Sequence, residues 1–168
     1  MGNKNKNKGK RGESEVCKIL TEIFELPFMR VFGSGSFFGG KNSIRFNNFT
    51  SNQQNLNEGD IVVPEELSHF SIEVKNYKDF PFHSVYTNNC ALLDKWLEQS
   101  ENTKKSFYML FFKITYKDVY VCYPKNYNFL KSESYTNYKN KYIIELAKPF
   151  LLTNKNEILN IKNRLYEK

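Results

Sequence analysis

Three ionisable residues stand at spacings that could support chemistry. Asp60 lies in Gly59-Asp60-Ile61-Val62-Val63, and Glu73 and Lys75 lie in Ile72-Glu73-Val74-Lys75. Side chains alternate along a β-strand, so Glu73 and Lys75 emerge from one face while Phe70, Ile72 and Val74 occupy the opposite, apolar face. If the segments carrying Asp60 and Glu73 pair as a hairpin-like unit, two carboxylates converge beside one ammonium. Such a site suits a hard, oxygen-preferring cation such as Mg²⁺, which keeps several waters and takes few protein ligands. The lysine then stands beside the water or the phosphate. By spacing alone, Glu-x-Lys is equally a solvent-exposed charge pattern on a polar strand face.

A third acid tips that balance. Val16, Ile19, Leu20, Ile23 and Phe24 recur at helical spacing and predict an amphipathic helix over residues 11–26, stopped by Pro27. At about 100° per residue Glu13 falls within this apolar stripe, whereas Glu15, Glu22 and Glu25 fall outside it or at its margin. A carboxylate aimed at the core is costly unless it is paired or bound to a metal. The simpler account is a first-turn acid that complements the helix dipole.

The elements that must position these residues follow from the same periodicities. Strands are expected over 28–32, 60–63, 70–77, 107–114, 119–123 and 142–146, with a hairpin around Tyr116-Lys117-Asp118 at the far side of the sheet. Helices are expected from 87 or 88 to 101, with Leu92, Leu93, Trp96 and Leu97 as the buried stripe, and over 154–166 with Ile158, Ile161 and Leu165 inward. Residues 36–58, rich in Asn, Gln and Ser, are expected to be a mobile loop after the Gly33-Ser34-Gly35-Ser36 turn. The order of helix, strands, helix and strands indicates an α/β fold with a central mixed β-sheet flanked by helices.

A chain of 168 residues that is 40% hydrophobic can bury one substantial core, so a single domain over 11–168 is expected, with 124–168 as a C-terminal extension. Lys4, Lys6, Lys8, Lys10 and Arg11 supply five of the seven net positive charges with no acid among them. Residues 1–10 therefore read as a basic flexible arm, suited to phosphate backbones or simply to solvation. No run of about 18 apolar residues marks a membrane span, and the polar N-terminus marks no signal peptide. Cys17, Cys90 and Cys122 are scattered, without a CxxC pair, which argues against a disulfide framework or a zinc knuckle. A reducing interior is the expectation, in the cytoplasm of a bacterial, archaeal or virus-infected cell.

In its arrangement the sequence resembles the PD-(D/E)XK nucleases, and among them the archaeal-type Holliday-junction resolvases and related phage enzymes. The likeness is carried, in order, by Lys8-Gly9-Lys10-Arg11-Gly12-Glu13, Arg30-Val31 leading into Gly33-Ser34-Gly35, Gly59-Asp60-Ile61-Val62 and Ile72-Glu73-Val74-Lys75. It spans roughly residues 8–123. It implies a restriction-endonuclease-like core with Asp60 and Glu73 as metal acids, Glu13 as the helix acid and Lys75 as the motif lysine. The carbonyl of Val74 is implied as a further ligand, and Mn²⁺ as able to stand in for Mg²⁺. Arg30 and Ser34 fall where resolvases place residues needed for cleavage or junction contact. Gly59 replaces the proline of the name motif, and the 36–59 stretch is longer than in the compact archaeal enzymes.

The implied activity is structure-selective cleavage of branched DNA by a homodimer, leaving a 5′-phosphate and a 3′-hydroxyl. Lys8, Lys10, Arg11 and Lys78 are candidate DNA contacts, as any surface lysine in a basic protein would be. Gln99 falls where many superfamily members carry a glutamine facing the site, and is otherwise an ordinary exposed helix residue. Trp96 reads as a core anchor, His69 and His83 as structural, and Tyr77, Phe80 and Phe82 as packing or DNA-facing. Two other functions fit the same residues: a restriction- or repair-type nuclease with another substrate, and a basic DNA-binding protein without turnover.

Overall fold

The structure is a computed structural model that describes residues 2–31 and 59–161. Helix α1 (Gly2–Phe24) ends as Glu25 enters the left-handed region at φ 59°, two residues before Pro27. The chain passes through β1 (Met29–Arg30), β2 (Ile61–Val62) and a 3₁₀ turn at Glu65–Leu67 into β3 (Phe70–Tyr77). Then come α2 (Phe82–Tyr86), α3 (Ala91–Glu101), β4 (Phe107–Ile114) and β5 (Val119–Pro124). The chain closes with β6 (Thr136–Tyr138), β7 (Tyr142–Leu146) and α4 (Ala147–Leu159). Strands β3, β4, β5, β7 and β6 form one sheet in that order, parallel between β3 and β4 and antiparallel elsewhere.

Alternation sorts the core onto the two faces of this sheet. Ile72, Val74, Met109, Phe111 and Val121 meet Val16, Leu20 and Phe24 of α1 and Phe150, Leu151 and Ile158 of α4. On the other face Leu110, Phe112, Cys122 and Ile144 meet Leu93, Trp96 and Leu97 of α3. Glu73 and Lys75 share the parity that faces α3, and the helix acid Glu13 comes from the α1 layer. The edge strand β3 is thus where the two layers can both reach. Helix α1 crosses β3 at close range: a Cβ on Gly12 would lie 2.7 Å from Asn76 Cβ, and Asn76 Nδ2 donates to the Lys8 carbonyl at 2.8 Å.

Several expectations change. The basic residues 2–10, expected as a separate arm, are the first turns of α1. β2 does not form a hairpin with β3. It pairs antiparallel with β1 in the register Met29↔Val62 and Arg30↔Ile61, while β3 pairs in parallel with β4 along its whole length. The β4–β5 hairpin lies at the centre of the sheet, because residues expected as an extension return as β6 and β7 beyond β5. Ile143 and Ile144 bury on opposite faces, so the returning strand needs cover on both. α4 begins at Ala147 rather than 154, and Pro149 falls in its first turn, where no intrahelical N–H is required. α3 begins at Ala91, after the separate short helix α2. The 36–58 loop, the Gly33-Ser34-Gly35-Ser36 turn and Leu165 lie outside the described residues.

Among the described residues no helix is long and apolar enough to cross a membrane, and Cys17, Cys90 and Cys122 are buried free thiols.

Gly12→Ala tests the α1–β3 crossing. Helix propensity alone would raise stability by about 1 kcal/mol. The clash with Asn76 reverses the sign, so urea denaturation should give a net loss of about 1–2 kcal/mol. A gain would show that the crossing is looser than described.

Candidate active site

Asp60 is fastened to β3 by backbone geometry that begins at Gly59. With φ at 80°, Gly59 comes so close to β3 that a Cβ there would lie 2.6 Å from the Ile72 carbonyl oxygen. The Asp60 N–H then donates to the Ile72 carbonyl at 2.8 Å, and the Asp60 Oδ2 accepts from the Val74 N–H at 2.9 Å. From the other side the Val31 N–H donates to the Asp60 carbonyl at 3.0 Å. One residue's N–H and C=O point to the same side of a strand. The Val74 carbonyl therefore emerges on the edge of β3 that faces Asp60. The glycine in the proline's place, indifferent on chemical grounds, is demanded by the backbone.

Glu73 is buried, and its Oε1 accepts from both Lys75 Nζ and Gln99 Nε2, the latter at 2.6 Å. Gln99 reaches it from α3. Glu13 is also buried at 8% exposure, while the Glu15 side chain is 41% exposed and paired with Lys113, which is the distinction the helical stripe predicts. Arg30, carried by β1, donates from Nε to Glu13 Oε2 at 2.7 Å.

These acids feel one another. The Asp60 carboxyl is pushed up to about 7, first by burial and then by the charge of Glu73. The Val74 N–H and the Lys75 ammonium oppose the rise, and Glu13 adds to it. Among the described residues no three acidic, imidazole or thiol groups stand as a ready metal cluster. The bonds to Asp60 and Glu73 from described residues instead engage one oxygen of each, Oδ2 and Oε1. The donor set is oxygen only, two carboxylates with a backbone carbonyl and a third acid nearby, and Lys75 and Arg30 offset only part of its negative charge. In donor type and charge it fits a hard divalent cation.

The other expected residues are distributed around this centre. Lys8 and Arg11 line a cavity of about 650 Å³ with Asn76, Lys113 and Tyr116. Lys10 and Lys78 are exposed, and Ser34 lies outside the described residues. Trp96 is a core anchor whose ring stacks on Phe80 at 5.5 Å and touches Tyr77 at 4.8 Å. His83 is exposed on α2. Another cavity, about 860 Å³, lies around Tyr108, Tyr127 and Tyr142, apart from the carboxylates. Sequence reasoning missed Asn76 and Lys113, which no local spacing marks, since α1 and β4 bring them together.

A family described as "Phage putative PDDEXK endonuclease" matches residues 4–163. The chain belongs to that family. Its mixed five-stranded sheet flanked by helices is accordingly a restriction-endonuclease-like core. The family is one of nucleases, DNA-binding enzymes that generally use divalent metals. Protein D14 of Escherichia phage T5 is 36% identical over 98 residues, covering 56% of this chain and 52% of that protein. The chain thus spans about half the length of the curated relative it matches. No solved structure matches this chain significantly.

The raised Asp60 carboxyl has a stability consequence. The folded site holds the proton more tightly than the unfolded chain, so this contribution is full below about pH 4 and is lost as pH rises through about 7. In EDTA at pH 8, Asp60→Asn should be more stable than wild type by on the order of 1–3 kcal/mol, with the gap closing at pH 5. Equal gaps in urea midpoint at both pH values would refute the burial account. Gly59→Pro should destabilise by on the order of 3 kcal/mol, because proline holds φ near −65°. Unchanged thermal stability would contradict the backbone described here.

Proposed function

We propose that the chain is a Mg²⁺-dependent endodeoxyribonuclease that cuts phosphodiester bonds in branched DNA, with the four-way junction as its substrate. The observation that carries the reading is the Asp60 carboxylate held by the Val74 N–H directly beside the Glu73–Lys75 pair. Asp60, Glu73 and the Val74 carbonyl would hold the cation, with Glu13 completing the set, and Mn²⁺ could replace Mg²⁺. When bound, it supplies Lewis-acid polarisation of the scissile phosphate and a water of lowered pKa.

The chain's own residues do the rest. Lys75 turns from Glu73 toward the reacting phosphate, where its ammonium orients the attacking water and offsets charge gathering on the phosphorane. Gln99 keeps Glu73 aligned through Oε1 while Lys75 moves, and Arg30 does the same for Glu13. Water attacks phosphorus as the bond to the 3′ oxygen breaks, leaving a 5′-phosphate and a 3′-hydroxyl. Lys8, Lys10, Arg11 and Lys78 serve as phosphate contacts that set register without reading bases. The ordered likeness to junction resolvases supports the substrate, and a two-fold homodimer would set two such sites against two opposed strands of a junction.

The test is cleavage of labelled four-way junctions and matched linear duplexes in Mg²⁺, with Ca²⁺ used to measure binding. Junctions should be cut and duplexes spared. Asp60→Asn, Glu73→Gln and Lys75→Ala should each lower the cleavage rate roughly 100-fold or more with binding retained. Cutting of linear duplex at the same rate would replace the junction reading with a restriction- or repair-type substrate. Binding without cleavage in any metal would leave a DNA-binding protein without turnover.

A further inference from the structure

Beside the carboxylates the molecule carries a second feature suited to nucleic acid. Where the C-terminal ends of β3 and β4 meet α1, the cavity of about 650 Å³ is walled by Lys8, Arg11, Glu15, Asn76 and Lys113 and edged by Tyr116. Asn76 follows Lys75 on β3 but turns to the face that α1 covers, so the cavity shares β3 and α1 with the carboxylates and lies across the sheet from Glu73 and Lys75. The bond from Asn76 to the Lys8 carbonyl at 2.8 Å fixes one wall. Glu15 is paired with Lys113, whereas among the described residues neither Lys8 nor Arg11 is in an ion pair. The lining is therefore net positive.

Tyr116 sits at the tip of the β4–β5 hairpin. The Lys117 N–H donates to the Ile114 carbonyl at 2.9 Å, closing a turn whose third residue is Tyr116 with φ at 61°. That position favours glycine or asparagine and disfavours a residue with a bulky side chain. Tyr116 is 98% exposed, so packing against the described residues does not offset the strain. The turn is nonetheless tethered: the Thr115 N–H and Oγ1 both donate to the Tyr77 carbonyl, at 3.0 and 3.1 Å. Glu25, Asn88, Lys139 and Asn140 share this region of φ, so it is the tethered turn carrying an exposed ring that sets Tyr116 apart. A bare ring beside free cations offers what an unpaired strand needs, namely neutralised phosphate and a π-face for its base. In a continuous duplex the bases already stack on each other.

Resting on the nuclease reading above, we propose that this cavity is a second nucleic-acid subsite for an unpaired segment next to the cleavage point. Lys8 and Arg11 hold a backbone phosphate there, and Tyr116 stacks the base. The preferred substrate class is then DNA with unpaired nucleotides within reach of the cut, such as an opened branch point.

Fluorescence anisotropy in Ca²⁺ with a single-stranded oligonucleotide, a splayed-arm duplex and a blunt duplex tests this. Tyr116→Gly, which relieves the turn and removes the ring, should weaken binding of the first two by about 5- to 100-fold and leave blunt duplex unchanged. Tyr116→Phe should bind all three as wild type does. Lys8→Ala and Arg11→Ala should weaken all three and each reduce the slope of log affinity against log salt by about 1. If Tyr116→Gly binds every substrate like wild type, or loses equally on blunt duplex, the subsite is refuted. Cleavage in Mg²⁺ with the same proteins separates the two readings. A selective Tyr116 effect without cleavage in any metal retains the subsite and removes the nuclease, and normal cleavage without a Tyr116 effect does the reverse.

Discussion

Carboxylates resist being drawn out of water beside one another, and Asp60, Glu73 and Glu13 are drawn together around the edge of β3. The surrounding structure is largely the means of tolerating that. Lys75 and Gln99 take one oxygen of Glu73, Arg30 takes one of Glu13, and the Val74 N–H takes one of Asp60. The partners come from three elements, so losing the alignment of β1, β3 or α3 would leave an uncompensated buried acid. Buried acids held close together in this way lower the stability of the fold at a pH where they are charged.

The edge position of β3 makes the arrangement possible. A central strand spends its N–H and C=O groups on two neighbours, whereas among the described residues β3 has a ladder only with β4. Its other edge bonds to Asp60 through Ile72 and Val74. The two glycines flanking this region act through close approach. Gly59 lets the Asp60 backbone reach Ile72, and Gly12 lets α1 settle against Asn76 so that Glu13 reaches inward. The basic cavity under Tyr116 is a by-product of the same α1–β3 crossing, which fixes its place relative to the carboxylates.

Legibility followed the range of the interactions. The choice of Glu13 over Glu15 came from a period of 3.6 residues, and the shared face of Glu73 and Lys75 from a period of 2. Both are local properties of the backbone and both hold in the fold. Gln99 was ambiguous as a helix position, because only the packing of α3 against β3 brings its amide to Glu73. Pairing partners were misjudged where sequence distance misleads. β2 and β3 are separated by a turn-sized segment yet do not form a ladder, and β1 closes on β2 across residues 32–58. The C-terminal strands, set in Tyr- and Asn-rich surroundings, lacked a resemblance to lean on, although Tyr142–Leu146 was readable as a strand from its β-branched pair.

What the residues alone determined was where the ionisable side chains fall: an Asp at a strand start, a Glu and Lys on one strand face, an acid on the apolar side of a helix, and a cationic N-terminal run. These follow from chirality and periodicity, which operate over a few residues. Assembly settled the rest: the parallel partner of β3, the left-handed Gly59 that seats Asp60, the pairing of Arg30 with Glu13 and the cavity beneath Tyr116. Those features join segments tens of residues apart, and their free energies depend on burial and charge proximity, which exist only once the layers have packed.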